Sequence, residues 1–397
     1  MRFIMNLNKY ILLRGKMNQE NKNLPEFFGC LYFIWGLFIL FQQTVNYKFV
    51  GENTIIEIIN IISMIALIIY ELLILEKANF KVNIISLCYI VLFLAMGALA
   101  SYHQYGLTFF VAFLFIIVSG NVELNEILKS FLCFSGCILI MTVVLNKFNV
   151  IPNFYMFGDS RIRSSLGFGY YTFAAQIAFY FTNVYLVYRD KDITYSEIFL
   201  LIILNTYIFY CTNTRSPYLL VSIFLIYCLL KKIFHFSGLV FTVIGKYIIS
   251  FIFPLSFFLI YWMTFRTPAT IFTKLDKALS GRLNLNVAAF QNWGIHFLGQ
   301  KVKFTTVSAF GNRVVNYNYI DSSYFQNLIV NGWAFTAIII IGFMFLCIRT
   351  VKEKKDILAV ALMIVAIHAM FDPQLIWPWF SPFSLFIGKL FPLKKLD

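Results

Sequence analysis

Apolar runs of about membrane-spanning length recur along the whole of this chain, and no other feature limits its fold so tightly. A hydrocarbon core some 30 Å thick needs about 20 apolar residues per helix. Lipid offers the backbone no hydrogen bonds, so runs of that length must satisfy their own amides as helices. Twelve runs qualify: 27–45, 54–75, 83–101, 107–119, 127–146, 171–188, 197–211, 217–230, 239–263, 324–348, 357–371 and 375–390. The expected fold is all-α: a polytopic integral membrane protein of about twelve transmembrane helices, one domain over 1–397. Runs 107–119 and 197–211 are short and are candidates for re-entrant or broken helices.

Composition closes the alternatives. The chain is 60% apolar and 13% charged, against about 25% charged in a soluble domain, so it lacks the polar surface to cover a water-soluble core. High apolar content also excludes disorder. There is no internal repeat, no low-complexity tract and no GxxxxGK[ST] phosphate loop, and the cytoplasmic loops are too short for a nucleotide-binding domain. An ATP-driven motor within the chain is therefore excluded. The seven cysteines lie in or beside apolar runs without paired metal spacing and read as buried free thiols. The basic N-terminal tail is followed by a long apolar run with no small-residue cleavage site. That pattern reads as an uncleaved first span, with Met17 as an alternative start.

The net charge of +14 needs its own explanation. Placing the N-terminus inside leaves nineteen Lys and Arg on the cytoplasmic side, where the positive-inside bias expects them, and puts both termini there. Lys246 falls inside a span. The other twelve lie outside, against that bias: Lys48, Lys147, Arg161, Arg163, Arg215 and seven in one long loop over 264–322. The opposing outer acids are Glu52, Asp159, Asp276, Asp321 and Asp372. The result is a positive outer mouth, suited to an anionic partner.

Four segments can carry chemistry. In 153–171, Arg161 and Arg163 precede Ser164, Ser165, Gly167 and Gly169. Small residues let backbone amides approach a ligand, and guanidinium groups fork onto phosphate oxygens. In 211–217, Arg215 sits between two apolar runs with almost no loop to hold it, so it lies at the outer interface or points into the bundle. In the long loop, Thr267 and Pro268 read as a helix start, Ser280 and Gly281 as a break, and 282–293 as a second short amphipathic helix ended by Gly294. Arg282 then stands at a helix N-terminus, where free amides, the dipole and a guanidinium make an anion site. Beyond it come His296, a candidate general base or a structural histidine, and Gln300. Asp321 can cap the following helix or accept a substrate hydroxyl. In 368–378, His368 and Asp372 stand four apart on one expected helix face, able to relay a proton or hold a sugar. No HExxH, DxD or cysteine pair is present, so no metal and no cofactor is implied.

In order and spacing these segments resemble the bacterial repeat-unit polysaccharide polymerases of the Wzy type, and the related O-antigen ligases. The resemblance rests on Arg163-Ser164-Ser165-Leu166-Gly167-Phe168, Thr214-Arg215-Ser216 and Leu279-Ser280-Gly281-Arg282-Leu283. It extends through Gly294 to Gln300 and through Ile320 to Tyr324 with Gly332. It covers most of 161–332. Where the family often has His-Pro-Asn after the Gly-Phe, this chain has Gly169-Tyr170-Tyr171, so a histidine role there does not carry over.

The resemblance implies a GT-C-like bundle in the bacterial cytoplasmic membrane with its active site outside. It implies glycosyl transfer from an undecaprenyl-diphosphate-linked oligosaccharide donor to a lipid-linked acceptor, building O-antigen, capsule or exopolysaccharide. Arg161, Arg163, Arg215 and Arg282 would bind the diphosphate in place of a metal. His296, Asp321 or His368 would take the acceptor proton, and Asp372, His368 and Gln300 are candidates for holding the acceptor. A chain-length regulator and a flippase are the implied partners, and nucleic acid is not one. The rivals are a flippase or exporter of the same lipid-linked sugars, which predicts inverted repeats and short loops, and the ligase.

Overall fold

The computed structural model describes residues 23–45, 53–77, 84–104, 106–158, 161–306 and 317–391. It is 75% helix and 2% strand. The helices are α1 (Asn23–Phe41), α2 (Asn53–Lys77), α3 (Ile84–His103), α4 (Leu107–Ser119), α5 (Leu124–Lys147), α6 (Phe173–Arg189), α7 (Tyr195–Thr212), α8 (Arg215–Phe234), α9 (Val243–Ser250), α10 (Ile252–Phe265), α11 (Ala269–Ala278), α12 (Arg282–Trp293), α13 (Ser323–Val330), α14 (Trp333–Lys352) and α15 (Asp356–His368). A two-stranded antiparallel hairpin, β1 (Tyr155–Gly158) and β2 (Arg161–Ser164), interrupts them between α5 and α6.

Among the described residues six helices are long and apolar enough to cross a membrane: α2, α3, α5, α7, α8 and α14. The bent pair α9 and α10, turned by 67°, gives a seventh if it is one span. The apolar helices α1, α4 and α15 are shorter. This is an all-α membrane protein, but not twelve continuous spans. The run 239–263 is broken near Phe251. The run 324–348 is split at Asn331 and Gly332, where Gly332 takes φ +91° and the chain turns between α13 and α14. The run 375–390 is not an α-helix: it is turns followed by a 3-10 helix, Pro382–Leu390.

That irregular segment survives because it is buried in protein. Every residue from Leu375 to Gly388 is buried. Ser119 Oγ donates to the Leu385 carbonyl (2.6 Å), and Gly388 lies directly against the α4 backbone. Non-helical backbone at membrane depth is tolerated where protein satisfies it. The helices around it sort by surface. On α2 the exposed positions are Ile58, Ile61, Ile62, Ile65, Ile68, Ile69 and Leu72, a stripe that faces lipid rather than water. By contrast, α4, α6 and α15 are buried over most of their length and carry the core.

The cysteines depart from the expectation of burial. Cys30, Cys88, Cys133 and Cys137 are exposed on apolar helices, Cys211 is half-buried, and only Cys228 and Cys347 are buried; all seven are free. An apolar run in lipid has two faces, and the thiol is apolar enough for either.

Connections fix two ends. One, here the hairpin end, gathers the β1–β2 hairpin, α11, α12 and the start of α13. The hairpin's following turn docks on the end of α1 through a Thr44–Phe168 bridge. The opposite end gathers the α6–α7 and α14–α15 connections.

Candidate functional site

The site assembles at the hairpin end from the bottom of four segments. Ser280 (φ +61°) and Gly281 (φ +84°) are both left-handed, which reverses the chain between α11 and α12. A Cβ at Gly281 would meet nothing, so the backbone angle, not space, favours glycine there. The reversal brings Asp276 under the start of α12. Its Oδ1 accepts from the Leu283 amide (2.9 Å) and the Asn284 amide (3.1 Å), and its other oxygen accepts from the Asn284 side chain. The free amides expected to receive a substrate anion are therefore already capped by the chain's own carboxylate.

Arg282 turns elsewhere. Its Nε donates to Asp321 Oδ2 at 3.0 Å, with both side chains about one-quarter exposed. Asp321 consequently does not cap α13; Ser322 does, its Oγ accepting from the Phe325 amide. Burial works against the Arg282 charge. Asp321, then Asp372 and Tyr171, outweigh it and hold the guanidinium above its ordinary value.

Asp372 comes from a third segment. Helix α15 ends at His368, so Asp372 lies past it and not on a shared helical face. Its carbonyl accepts from the Ser323 amide (3.1 Å) and ties this turn to the start of α13. Its carboxyl accepts from the Gln374 amide (3.2 Å) and from the Gln176 side chain, and Gln374 donates back to Gln176 Oε1 (2.6 Å). Burial pushes Asp372 up to about 8, against the pull of Arg282 and these donors. His368 stacks on Phe179 (4.1 Å between ring centres), and its Nε2 is 3.9 Å from Asp372 Oδ2. That is too long for a hydrogen bond.

The fourth segment is the hairpin and its turn. Arg163 pairs with Met156 across the hairpin, and its guanidinium lies 4.6 Å from the centre of the Tyr171 ring. Tyr170 Oη donates to Tyr171 Oη (2.8 Å), and Tyr317 hydrogen-bonds Tyr170 in turn. Burial raises both Tyr170 and Tyr317, and the nearby Asp321 adds to it. Arg163, Tyr171, Tyr170 and Tyr317 thus form one chain of contacts, and it lies near enough to the Arg282–Asp321 pair for their charges to act on one another. The intervening glycines serve packing rather than amide presentation. Gly167 (φ +84°) passes its carbonyl to the Val45 amide (2.9 Å), Gly169 donates to Gln43 O (2.7 Å), and a Cβ at Gly167 would meet Ile151 Cδ1 at 2.5 Å. Asn153 Oδ1 braces the turn by accepting from Ser164, Ser165 and the Leu166 amide.

The remaining candidates are not brought into this set. Arg215 is the exposed first residue of α8, with no ion pair or hydrogen bond among the described residues. His296 is exposed, and its carbonyl accepts from the Trp333 amide (3.1 Å). The Gln300 side chain donates to Trp293 O (2.9 Å) and Ile329 O (3.3 Å), bracing the loop across the α13–α14 break. Lys48, Glu52, Asp159, Arg313, the Arg161 side chain and the basic tail lie outside the described residues. Among the described residues no three His, Cys, Asp or Glu side chains gather as metal ligands.

Sequence reasoning missed Tyr170, Tyr171, Tyr317, Gln176 and the capping role of Asp276. The tyrosine pair had a signal, two adjacent aromatic residues directly after the Gly167-Phe168-Gly169 turn. Gln176 had another, a long amide inside an apolar helix. Chemically, the set offers one guanidinium balanced by a single carboxylate, a second lying on an aromatic face, phenol hydroxyls, and a buried carboxyl that favours its neutral form. No protein-family model, no curated protein and no solved structure matches this chain.

Proposed function

We propose that the chain is a membrane glycosyltransferase that polymerises undecaprenyl-diphosphate-linked oligosaccharide repeat units on the outer face of the bacterial cytoplasmic membrane. The observation that carries this reading is the Arg282–Asp321 ion pair together with the Arg163–Tyr171 contact at the same end of an apolar bundle. A lipid-linked diphosphate is the ligand whose chemistry fits: an anionic head for the guanidinium groups, sugar hydroxyls for the phenols and amides, and a tail for the bilayer.

In the reaction the bond between the donor's anomeric carbon and the phosphate oxygen breaks, and undecaprenyl diphosphate departs with that electron pair. The acceptor hydroxyl oxygen bonds to the anomeric carbon and loses its proton to a base. Arg282 and Arg163 stabilise charge developing on the leaving diphosphate. Arg215, exposed and without a partner among the described residues, completes the cationic rim. Asp321, the carboxylate paired with Arg282, receives the acceptor's proton. Diphosphate leaves readily, so holding donor and acceptor in line supplies much of the rate.

The test is the state of the glycan in cells lacking the gene. Single repeats on the carrier at the outer face are expected. Repeats confined to the cytoplasmic face would make the protein a flippase, and long polymer stranded on the carrier would make it a ligase. With purified protein, chelator should leave chain growth intact.

A further inference from the structure

Two of the clefts among the described residues bear on ligand binding. The larger, about 490 Å³ between α9 and α15, is lined by Leu239, Val243, Ile244, Ile248, Ile249 and Met363 with Thr242 as its one polar side chain. It is almost wholly apolar, and its one hydroxyl already donates to the Leu239 carbonyl (2.9 Å). The second, about 320 Å³, lies between α12 and the stretch before α13. Its walls are Leu285, Ala288, Ala289, Asn292 and Trp293 from α12, with Tyr317 and Asn318 opposite.

This cleft has the composition of a small-molecule pocket, aromatic walls with a few polar groups, and is at the small end of the ~300–1,000 Å³ range. Its aromatic wall is rigid: Trp293 meets the Phe304 ring edge-on at 5.9 Å, and Phe304 packs on Tyr319 at 5.1 Å. Asn318 is committed to the loop, its Oδ1 accepting from the Thr305 amide (2.6 Å). Asn292 is exposed and makes no hydrogen bond among the described residues, which leaves a whole amide for a ligand. The cleft also joins the candidate site. Tyr317 belongs to both, through its bond to Tyr170. Leu285, Ala289 and Asn292 stand three, seven and ten residues after Arg282, on one side of the helix.

We infer that this cleft binds one sugar ring of the glycan, stacked on Trp293 or Tyr317 and hydrogen-bonded by Asn292. The inference rests on the glycosyltransferase reading for the identity of the chain bound. Ten residues of helix separate Asn292 from Arg282 by about 15 Å. The bound ring is therefore not the one joined to the diphosphate but one farther along the chain. A remote subsite of that kind selects which repeat unit is extended, and its binding energy positions the reacting end.

The probe is the free oligosaccharide released from the lipid carrier of the same cells by mild acid, titrated against the protein in lipid nanodiscs by calorimetry. Saturable binding is expected, weakened about tenfold in Asn292→Ala by loss of the amide's hydrogen bonds. Trp293→Ala should weaken it more and Trp293→Phe less. Arg282→Ala should leave it unchanged, because the released glycan has no diphosphate. Asn292 is exposed, so its variant keeps the fold. Wild-type binding in Asn292→Ala together with Trp293→Phe, or no binding of the free glycan by the unaltered protein, overturns the inference. Binding that follows this pattern in a protein that never extends the lipid-linked substrate keeps the cleft and rejects the polymerase.

Discussion

The two ends of the bundle use the same charged residues in opposite ways. At the opposite end most well-placed cations are closed off by oxygen, although Lys354 lies 6.0 Å from the centre of the Phe241 ring and Lys232 5.1 Å from that of Tyr195. Lys231 pairs with Asp356, which also accepts from Tyr227 Oη (2.7 Å) and the Val240 amide (3.2 Å). Arg189 meets Glu197 at 2.9 Å and Arg349 meets Glu353 at 2.6 Å. Lys232 donates to Ile193 O (2.7 Å). At the hairpin end, among the described residues, Arg282 is the one cation paired with a carboxylate. Arg163 lies on the Tyr171 ring, Lys301 sits 3.8 Å from the centre of the Tyr102 ring, and Arg215 has no partner among the described residues. An aromatic face attracts a cation without neutralising it. Cations closed off by several oxygens hold helices together, whereas Arg282, matched by a single partly exposed carboxylate, and the cations resting on aromatic rings keep positive charge for an arriving anion.

The largest expected effects separate the ends by the property they damage. Asp356→Ala leaves Lys231 facing protein without its counter-ion and strips partners from Tyr227 and Val240. Removing one member of a buried pair costs about 3–5 kcal/mol. The variant should unfold at markedly lower temperature in detergent, and an unchanged melting curve would show that the pair holds nothing. Arg282→Ala should instead lower chain growth by about 10²–10³, the loss seen when one donor to developing charge is removed. Its melting temperature should move little, since a partly exposed pair contributes roughly 1 kcal/mol or less. Equal damage to stability and activity at both ends would erase the distinction drawn here.

A smaller effect follows from Asp372. Its carboxyl is held near 8 in the folded protein against an ordinary value of 3.8. The folded state therefore keeps the proton that the unfolded chain releases. Its contribution to stability is complete below about pH 4, declines as pH rises, and levels off once pH passes 8. Melting temperatures measured from pH 5 to 9 should fall more steeply in the native protein than in Asp372→Asn. Parallel curves would mean that Asp372 is ionised in place.

Legibility in the sequence followed the range of the interactions. Helix α4 is legible in the sequence to both its ends because Gly106 and Gly120 flank a dense apolar run. Helix α12 was read from Ser280-Gly281 at one end and Gly294 at the other, all local signals. The segment after α15 was misread because apolarity alone does not separate a helix from chain buried in protein. Pro373, Pro378 and Pro382 were the available warning, since none can donate within a helix. At the site, Arg282, Asp321, Arg163 and Asp372 were each picked out as chemistry-bearing residues. Which of them meet was not readable, because the Arg282–Asp321 pair spans thirty-nine positions and the Gln176–Asp372 contact spans 196. Asp276 hid for a subtler reason. It caps a helix that begins after a two-residue reversal, so its spacing fits no linear capping pattern.

The smallest effect probes the aromatic half of the comparison directly. Lys301 reaches from the loop after α12 to Tyr102 at the end of α3, and this contact ties the loop to the bundle. Such a contact at a partly exposed position is worth about 0.5–1 kcal/mol. Lys301→Met keeps the stem that packs on the ring and removes the charge. Stability should drop by no more than that amount, and raising salt should affect the native protein and the variant alike in melting temperature. Affinity for an anionic ligand should nevertheless fall in the variant and lose part of its salt dependence, because the charge was attracted by the ring and not cancelled by it. If Lys301→Met lowers stability by several kcal/mol and leaves anion affinity untouched, then ring-held cations at this end are structural, as the carboxylate-held ones are at the other.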